Sequence, residues 1–322
     1  MSLAENFVRA RSRFFPDHMI GEVLTKRWSD NAVPFVALIM AVAVFGSLNP
    51  AMFSSFGLFD LAGQVSEYGL MAIALTIVMI AGGIDLSIGS VFALCALTML
   101  ASMNVFNLPM GLAVAMTLCV GALCGAVNGL LIGYLRLRAF LTTLVTLIMF
   151  RSVYELIMPN FATDIVMGMP DSVIWNEMGL GSLWGLPYAV YIAAVIAVVW
   201  HIILSRSRPG WQMAAVGGSR RSAFNAGIKV RRVIFMTYVS SGVLTGLAAV
   251  LYGARMNSVG SDTGVGLELG VVPAAIMGGV TPAGARAPVS TAPMGAPALL
   301  IAPNGLPLRR APAPTAAPLP AL

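Results

Sequence analysis

Seven apolar stretches follow one another between residues 32 and 254, and the arginines and lysines that separate them fall on alternate connections only. The stretches cover about 32–48, 68–81, 86–103, 110–135, 140–158, 187–204 and 233–254. A helix needs about 20 apolar residues to cross the hydrocarbon of a bilayer. In that medium every backbone N–H and C=O must find a partner within its own segment, which favours helices. A membrane β-barrel would instead show alternating segments of roughly 10 residues. Composition points the same way. The chain is 58% hydrophobic and 10% charged, against about 25% charged in soluble globular proteins, too little to coat a water-facing surface. The expected fold class is all-α, a polytopic transmembrane helical bundle of about seven to eight spans.

The charge pattern orients the bundle. Arg9, Arg11, Arg13, Lys26 and Arg27 precede the first stretch. Arg136 and Arg138 lie between the fourth and fifth, and Arg206, Arg208, Arg220, Arg221, Lys229, Arg231 and Arg232 between the sixth and seventh. The connection holding Asp60, and the long one holding Asp164, Asp171 and Glu177, carry no base. The positive-inside rule then puts the N-terminus and the 82–86, 136–139 and 205–232 connections in the cytoplasm. The domain organisation expected is a basic cytoplasmic arm (1–32), a transmembrane domain (33–280) containing a cytoplasmic loop at 205–232, and a tail (281–322). No cleavable leader is expected, because the first apolar stretch follows about 30 polar residues and is long enough to anchor. The tail is rich in Ala and Pro, and its repeated prolines forbid a continuous spanning helix. A natural disordered tail and a shifted reading frame both fit it.

No residues stand ready for catalysis or for a cofactor. A phosphate-binding loop needs Gly-Lys followed by Ser or Thr, and the lysines, Lys26 and Lys229, follow Thr25 and Ile228. HExxH, GxSxG and Cys/His metal sets are missing. Cys95, Cys119 and Cys124 lie in apolar stretches and are expected to be small buried side chains. His201 is assigned no role.

Three local features remain. Gly121, Gly125, Gly129 and Gly133 recur every four residues, which opens one helix face to another backbone, with Asn128 beside the stripe. Gly242 and Gly246 repeat the theme. In Gly82-Gly83-Ile84-Asp85-Leu86-Ser87 two glycines break the helix, and Asp85 and Ser87 resemble the cap of the next one. A tight turn and a gate or pathway element both fit Gly82, Gly83, Asp85 and Ser87, since an acid near the membrane is costly without a purpose. Arg151 and Glu155, four apart, are placed to pair on one helix face. A bridge lowering the cost of burial is the simpler reading, and contact with the hydroxyls of a polar ligand is the other.

Ordered motifs add a resemblance. Gly82 to Ser90 (GGIDLSIGS), Asn128 to Ile132 (NGLLI), Phe140 to Thr146 (FLTTLVT), and Ala215–Ser219 with Ala226–Val230 are similar, in that order, to stretches of the ribose/xylose/galactose-type permeases of ATP-binding-cassette importers. Ala139 and Val145 stand where that family usually has Pro and Gly. The resemblance covers roughly 35–280. It implies a bacterial inner-membrane permease, non-enzymatic itself and without a cofactor. Its implied partners are a separate ATPase subunit, a periplasmic sugar-binding protein and a second permease copy, in surrounding lipid. It also implies that the segment Ser219, Arg220, Arg221, Phe224, Asn225 and Gly227 forms a short helix docking on the ATPase. A plain solvated loop is the alternative. Members usually continue beyond a pair like Gly278-Gly279 with further spans, which motivates the shifted-frame reading of the tail. Two rivals stay open: an ion-coupled secondary transporter, which would want midplane acids and inverted repeats, and a truncated, inactive permease.

Overall fold

The computed structural model describes residues 53–277 apart from positions 169 and 171, with three isolated helical positions, Met40, Ala43 and Ser47. The N-terminal arm, most of the first apolar stretch and the tail lie outside the described residues.

Eleven α-helices make up nearly all of the described chain. They are α1 (Ser55–Ile80), α2 (Ile88–Leu100), α3 (Met110–Gly129), α4 (Ala139–Ile157), α5 (Ala162–Met167), α6 (Val173–Leu180), α7 (Tyr188–Arg206), α8 (Arg208–Gly218), α9 (Arg220–Asn225), α10 (Val230–Met256) and α11 (Leu267–Met277). Single π-turns extend α2 through Val105 and α3 through Tyr134. A two-stranded antiparallel hairpin, β1 (Ser182–Leu183) and β2 (Leu186–Pro187), sits before α7. Six helices are long and apolar enough to cross a membrane, namely α1, α2, α3, α4, α7 and α10 with their extensions. The protein is a multi-pass membrane protein.

The arrangement is a sheathed core. Helix α10 packs along α3, α1 and α2, and α2 packs on α3 and α4. Of the apolar windows, 89% of that in α2 is buried but only 6% of that in α7. The faces left open carry Leu123 of α3, Val145 of α4 and Val195 of α7, each at least 60% exposed. In water such surfaces would drive aggregation; against acyl chains they cost nothing. Hydroxyls inside the spans bond back to the preceding turn, as Thr76 does to Ala72 O (2.7 Å) and Thr237 to Val233 O (2.8 Å). This keeps them satisfied where no water reaches.

Close backbone contact fixes α3 on α10. A Cβ at Gly121 would run into the carbonyl of Gly242, and one at Gly242 into that of Gly121. Gly125 meets the Tyr238 carbonyl, Gly129 meets Phe235 and Gly133 meets Arg231. The four-residue glycine repeat thus lies along one partner helix for its whole length.

Several expectations need correction. The second stretch is longer than its apolar run, because α1 begins at Ser55, where Ser54 Oγ accepts the Gly57 N–H (3.0 Å). Asp60 therefore stands in a helix, not in a loop. Its charge is met by Arg255, a partner distant in sequence. Cys119 is exposed on the bundle surface, unlike buried Cys95 and Cys124, because its face of α3 points away from the core. The long connection before α7 is organised by α5, α6 and the hairpin. Beyond the seventh stretch, α11 packs on α1 and α2.

Candidate functional site

The arginine-rich end of the bundle holds two linked features: the break between α1 and α2, and the α8–α9 segment lying against it.

Gly82 (φ 75°) ends α1, and the N–H groups of Gly82 and Gly83 return to Met79 O and Val78 O (2.9 and 3.0 Å). A Cβ at position 83 would lie 2.7 Å from the Tyr238 hydroxyl, which would have to shift off the Ile84 carbonyl. The Ile84 carbonyl, freed by the break, accepts the hydroxyls of Tyr238 and Thr143, both at 3.3 Å. Ser87 does not cap α2 with its side chain. Its hydroxyl donates to Asp85 Oδ1 (2.6 Å), and its N–H donates to the same oxygen (3.0 Å). The cap expected from the sequence gives way because another acceptor and donor compete for the hydroxyl. Asn128 Nδ2 donates to Ser87 Oγ (2.8 Å), and Thr146 donates to Asn128 Oδ1 (2.7 Å).

The result is a buried chain, Asp85–Ser87–Asn128–Thr146, joining the break to α3 and α4. All four residues are at most 3% exposed. Ser241 of α10 lies beside the Asp85 carboxyl. No cation pairs with Asp85 among the described residues. The chain sits within the bundle and not at its rim. Ser241 is about 16 Å along α10 from Val230, and Asn128 is about 9 Å along α3 from Tyr134. Buried polar networks of this kind fix one geometry when satisfied.

The α8–α9 segment is built by local capping. Ser207 Oγ accepts the Gly210 N–H (3.5 Å), and Pro209 occupies the first turn of α8. Met213 and Val216 bury one face of α8. Gly217 then comes so near α1 that a Cβ would strike the Ile80 carbonyl, and Gly82 in turn lies against Gly217. Ser219 caps α9 through the Ser222 N–H (3.2 Å), and Gly227 (φ 79°) lets the chain leave it. Buried Ala223 anchors α9, while Arg220, Arg221 and Asn225 are exposed and Phe224 is 71% exposed. Between α9, the start of α10 and the end of α3 lies a cavity of about 860 Å³ whose rim carries Arg136, Arg220, Arg221, Lys229, Arg231 and Arg232 and no carboxylate.

At the opposite end Arg151 pairs with Glu155 (3.0 Å), with Glu155 more than half exposed. The same guanidinium donates to Thr263 O (2.6 Å) and to Ser261 O, holding the segment after α10. Sequence reasoning missed a larger cluster here. Arg255 takes Glu67 with two bonds (2.8 and 3.1 Å) and Asp60 with a third (2.6 Å). The available signal was Glu67 and Asp60 spaced to share a helix face, but nothing local announces Arg255. Among the described residues no three His, Cys, Asp or Glu side chains group as a metal site.

Comparison with known proteins agrees over most of the chain. The family described as branched-chain amino acid transport system / permease component matches residues 57–290. The Escherichia coli K12 ribose import permease protein RbsC is 30% identical over 283 residues, covering 88% of this chain and 87% of the relative. The Escherichia coli K12 galactofuranose transporter permease protein YtfT is 30% identical over 269 residues, covering 81% and 77%. The autoinducer 2 import system permease protein LsrD of Enterobacter sp. strain 638 is 33% identical over 248 residues, covering 76% and 75%. No solved structure matches.

Proposed function

Because this chain belongs to the family of branched-chain amino acid transport system permease components, we propose that it is the permease subunit of an ATP-binding-cassette importer carrying a monosaccharide across a bacterial inner membrane. The arginine-rich end faces the cytoplasm, in keeping with the positive-inside rule. A separate ATPase subunit hydrolyses ATP, a periplasmic binding protein delivers the sugar to the opposite end, and two permease copies enclose the pathway.

The observation that carries this reading is the contact of Gly217 with Ile80 and Gly82. It makes α9, α8 and the break one mechanical train. Phe224 and the flanking arginines Arg220 and Arg221 offer an exposed aromatic anchor in a cationic rim, residue types enriched at protein interfaces. An ATPase gripping α9 moves α8, and α8 has no slack against the break. Gly82, Gly83, Asp85 and Ser87 then act as the gate element, with the Asp85–Ser87–Asn128–Thr146 chain registering one of its positions. Interfaces and packed cores switch between discrete arrangements more readily than they deform continuously.

The test is the double substitution Arg220→Ala, Phe224→Ala in the assembled importer. Loss of an anchor of this kind costs about 2 kcal/mol or more, so ATPase co-purification should fall by more than tenfold and sugar uptake with it. Association and uptake at the unsubstituted level would remove the docking assignment.

A further inference from the structure

A second cavity, of about 350 Å³, opens between α1, α2, α10 and the segment that follows α10. The geometry points to this cavity as a binding station for a neutral monosaccharide ring within the permease itself. The inference rests on the sugar-import reading above and names the residues that would meet the sugar.

The wall chemistry is the first argument. Asp60, Gln64 and Asp262 supply hydrogen-bonding side chains, and Tyr252 and Tyr68 supply aromatic surface, with buried Phe92 behind Tyr252. A sugar ring presents hydroxyls at its edge and C–H groups on its faces, so it needs this mixture. Carboxylates and amides meet hydroxyls, and an aromatic ring offers a flat apolar platform with a polar tip. The volume lies within the range of about 300–1,000 Å³ typical of small-molecule sites.

The second argument is preorganisation. Glu67, at 3% exposure, is clamped by the two bonds from Arg255, and Arg255 also holds Asp60. Gln64 Nε2 donates to Asp60 Oδ2 (2.9 Å), which fixes the amide. Phe92 and Tyr252 stand edge to face at 5.2 Å. The 257–266 segment is folded back into the bundle and pinned there. Tyr154 donates to Gly260 O (2.6 Å), Arg151 holds Thr263 O, and Gly264 (φ 77°) touches the backbone of Gly89. Helix α10 thus stops, irregular backbone lines a cavity, and α11 starts beside it. Discontinuous helices build transporter sites in this way. Ionisable groups within a membrane bundle line cavities or pair with one another; here Arg255 pairs with Asp60 and Glu67, and all three line the cavity.

The third argument concerns charge. Among the lining residues Asp60, Glu67 and Asp262 outnumber the one cation, Arg255; Arg151, which grips the backbone on either side of Asp262, is itself paired with Glu155. That excess of carboxylate repels an anionic ligand, so a sugar acid of the same ring size should be excluded while a neutral sugar enters. A bare cation would leave most of the volume and the aromatic wall unused.

The experiment is thiol protection in the full-length chain with its partners, in membrane vesicles. Gln64→Cys is introduced together with Cys119→Ser, which removes the exposed native thiol, and a charged methanethiosulfonate reagent is applied. D-ribose, D-xylose, D-galactose and D-glucose are tested singly, with D-glucuronate as the anionic control. At least one neutral sugar should slow labelling threefold or more, and glucuronate should not. Trp184→Cys, at the tip of the hairpin and 90% exposed, should label at one rate throughout. Val265→Cys, a more exposed lining position, repeats the measurement should Gln64→Cys fail to reach the membrane. Labelling unchanged by every neutral sugar, or slowed equally by glucuronate, overturns the proposal. The readout needs no ATP. Protection without uptake would count against the import reading and keep the station, whereas uptake without protection would remove the station alone.

Discussion

Gly125 of α3 lies against the backbone of Tyr238 in α10 so closely that a Cβ at Gly125 would strike the Tyr238 carbonyl. The contact belongs to a line running from Gly121 to Gly133, and it brings Asn128 within reach of Ser87. Removing the space therefore affects both packing and the buried polar chain.

Gly125→Val should force α3 away from α10. Overpacking a tight contact costs typically about 1–3 kcal/mol, and here the obstacle is backbone, which cannot rotate aside. The unfolding midpoint of the purified protein in detergent should drop by several degrees. Gly111→Ala, in the same helix with nothing near its Cβ position, should leave it in place. Equal effects of the two substitutions would mean that the glycine line does not hold the helices together.

The Asn128–Ser87 bond should behave as part of a network. Asn128→Ala leaves the Ser87 and Thr146 hydroxyls without that partner, at an expected cost of about 1–3 kcal/mol. Ser87→Ala leaves Asp85 without its 2.6 Å donor. A double-mutant cycle on the unfolding free energy should give a coupling of at least about 0.5 kcal/mol. Strict additivity would show that the two side chains act independently.

Orientation can be read with single thiols. In intact cells an impermeant maleimide should label Trp184→Cys, on the hairpin, and should leave Gly218→Cys, the last residue of α8, unmodified until the membrane is opened. The reverse pattern would place the arginine-rich end outside and remove the ATPase contact with it.

Asn104 ties the far end together. Its Nδ2 donates to Ile165 O (2.7 Å), Gly168 O (3.3 Å) and Asn257 Oδ1 (3.0 Å), joining α5 to the left-handed residue that closes α10. Asn104→Ala should release α5 while leaving the spans intact. A loss of about 1.4 kcal/mol is tenfold in a local opening equilibrium, so the α5 amides should exchange at least tenfold faster. Unchanged exchange would show that other contacts hold α5.

The amino-acid order alone determined the membrane as solvent, the run of spans and the end of the bundle that carries the arginines. Those follow from hydropathy and charge summed along short windows, and the observed helices α2, α3, α4, α7 and α10 end within a few residues of the stretches read from the sequence. It also marked the glycine repeat and the Gly82-Gly83 break, because spacing along one helix and missing side chains are local properties. It misjudged the start of α1, where polar Asp60 and Glu67 interrupt the apolar pattern and are met by Arg255, 195 and 188 positions away. Tertiary structure decided which partners meet: Asn128 with Ser87, Gly217 with Ile80, Arg255 with Glu67. A buried polar group needs a partner, but the chain has many candidates of each type, and only the packing of helices brings one of them within hydrogen-bond distance.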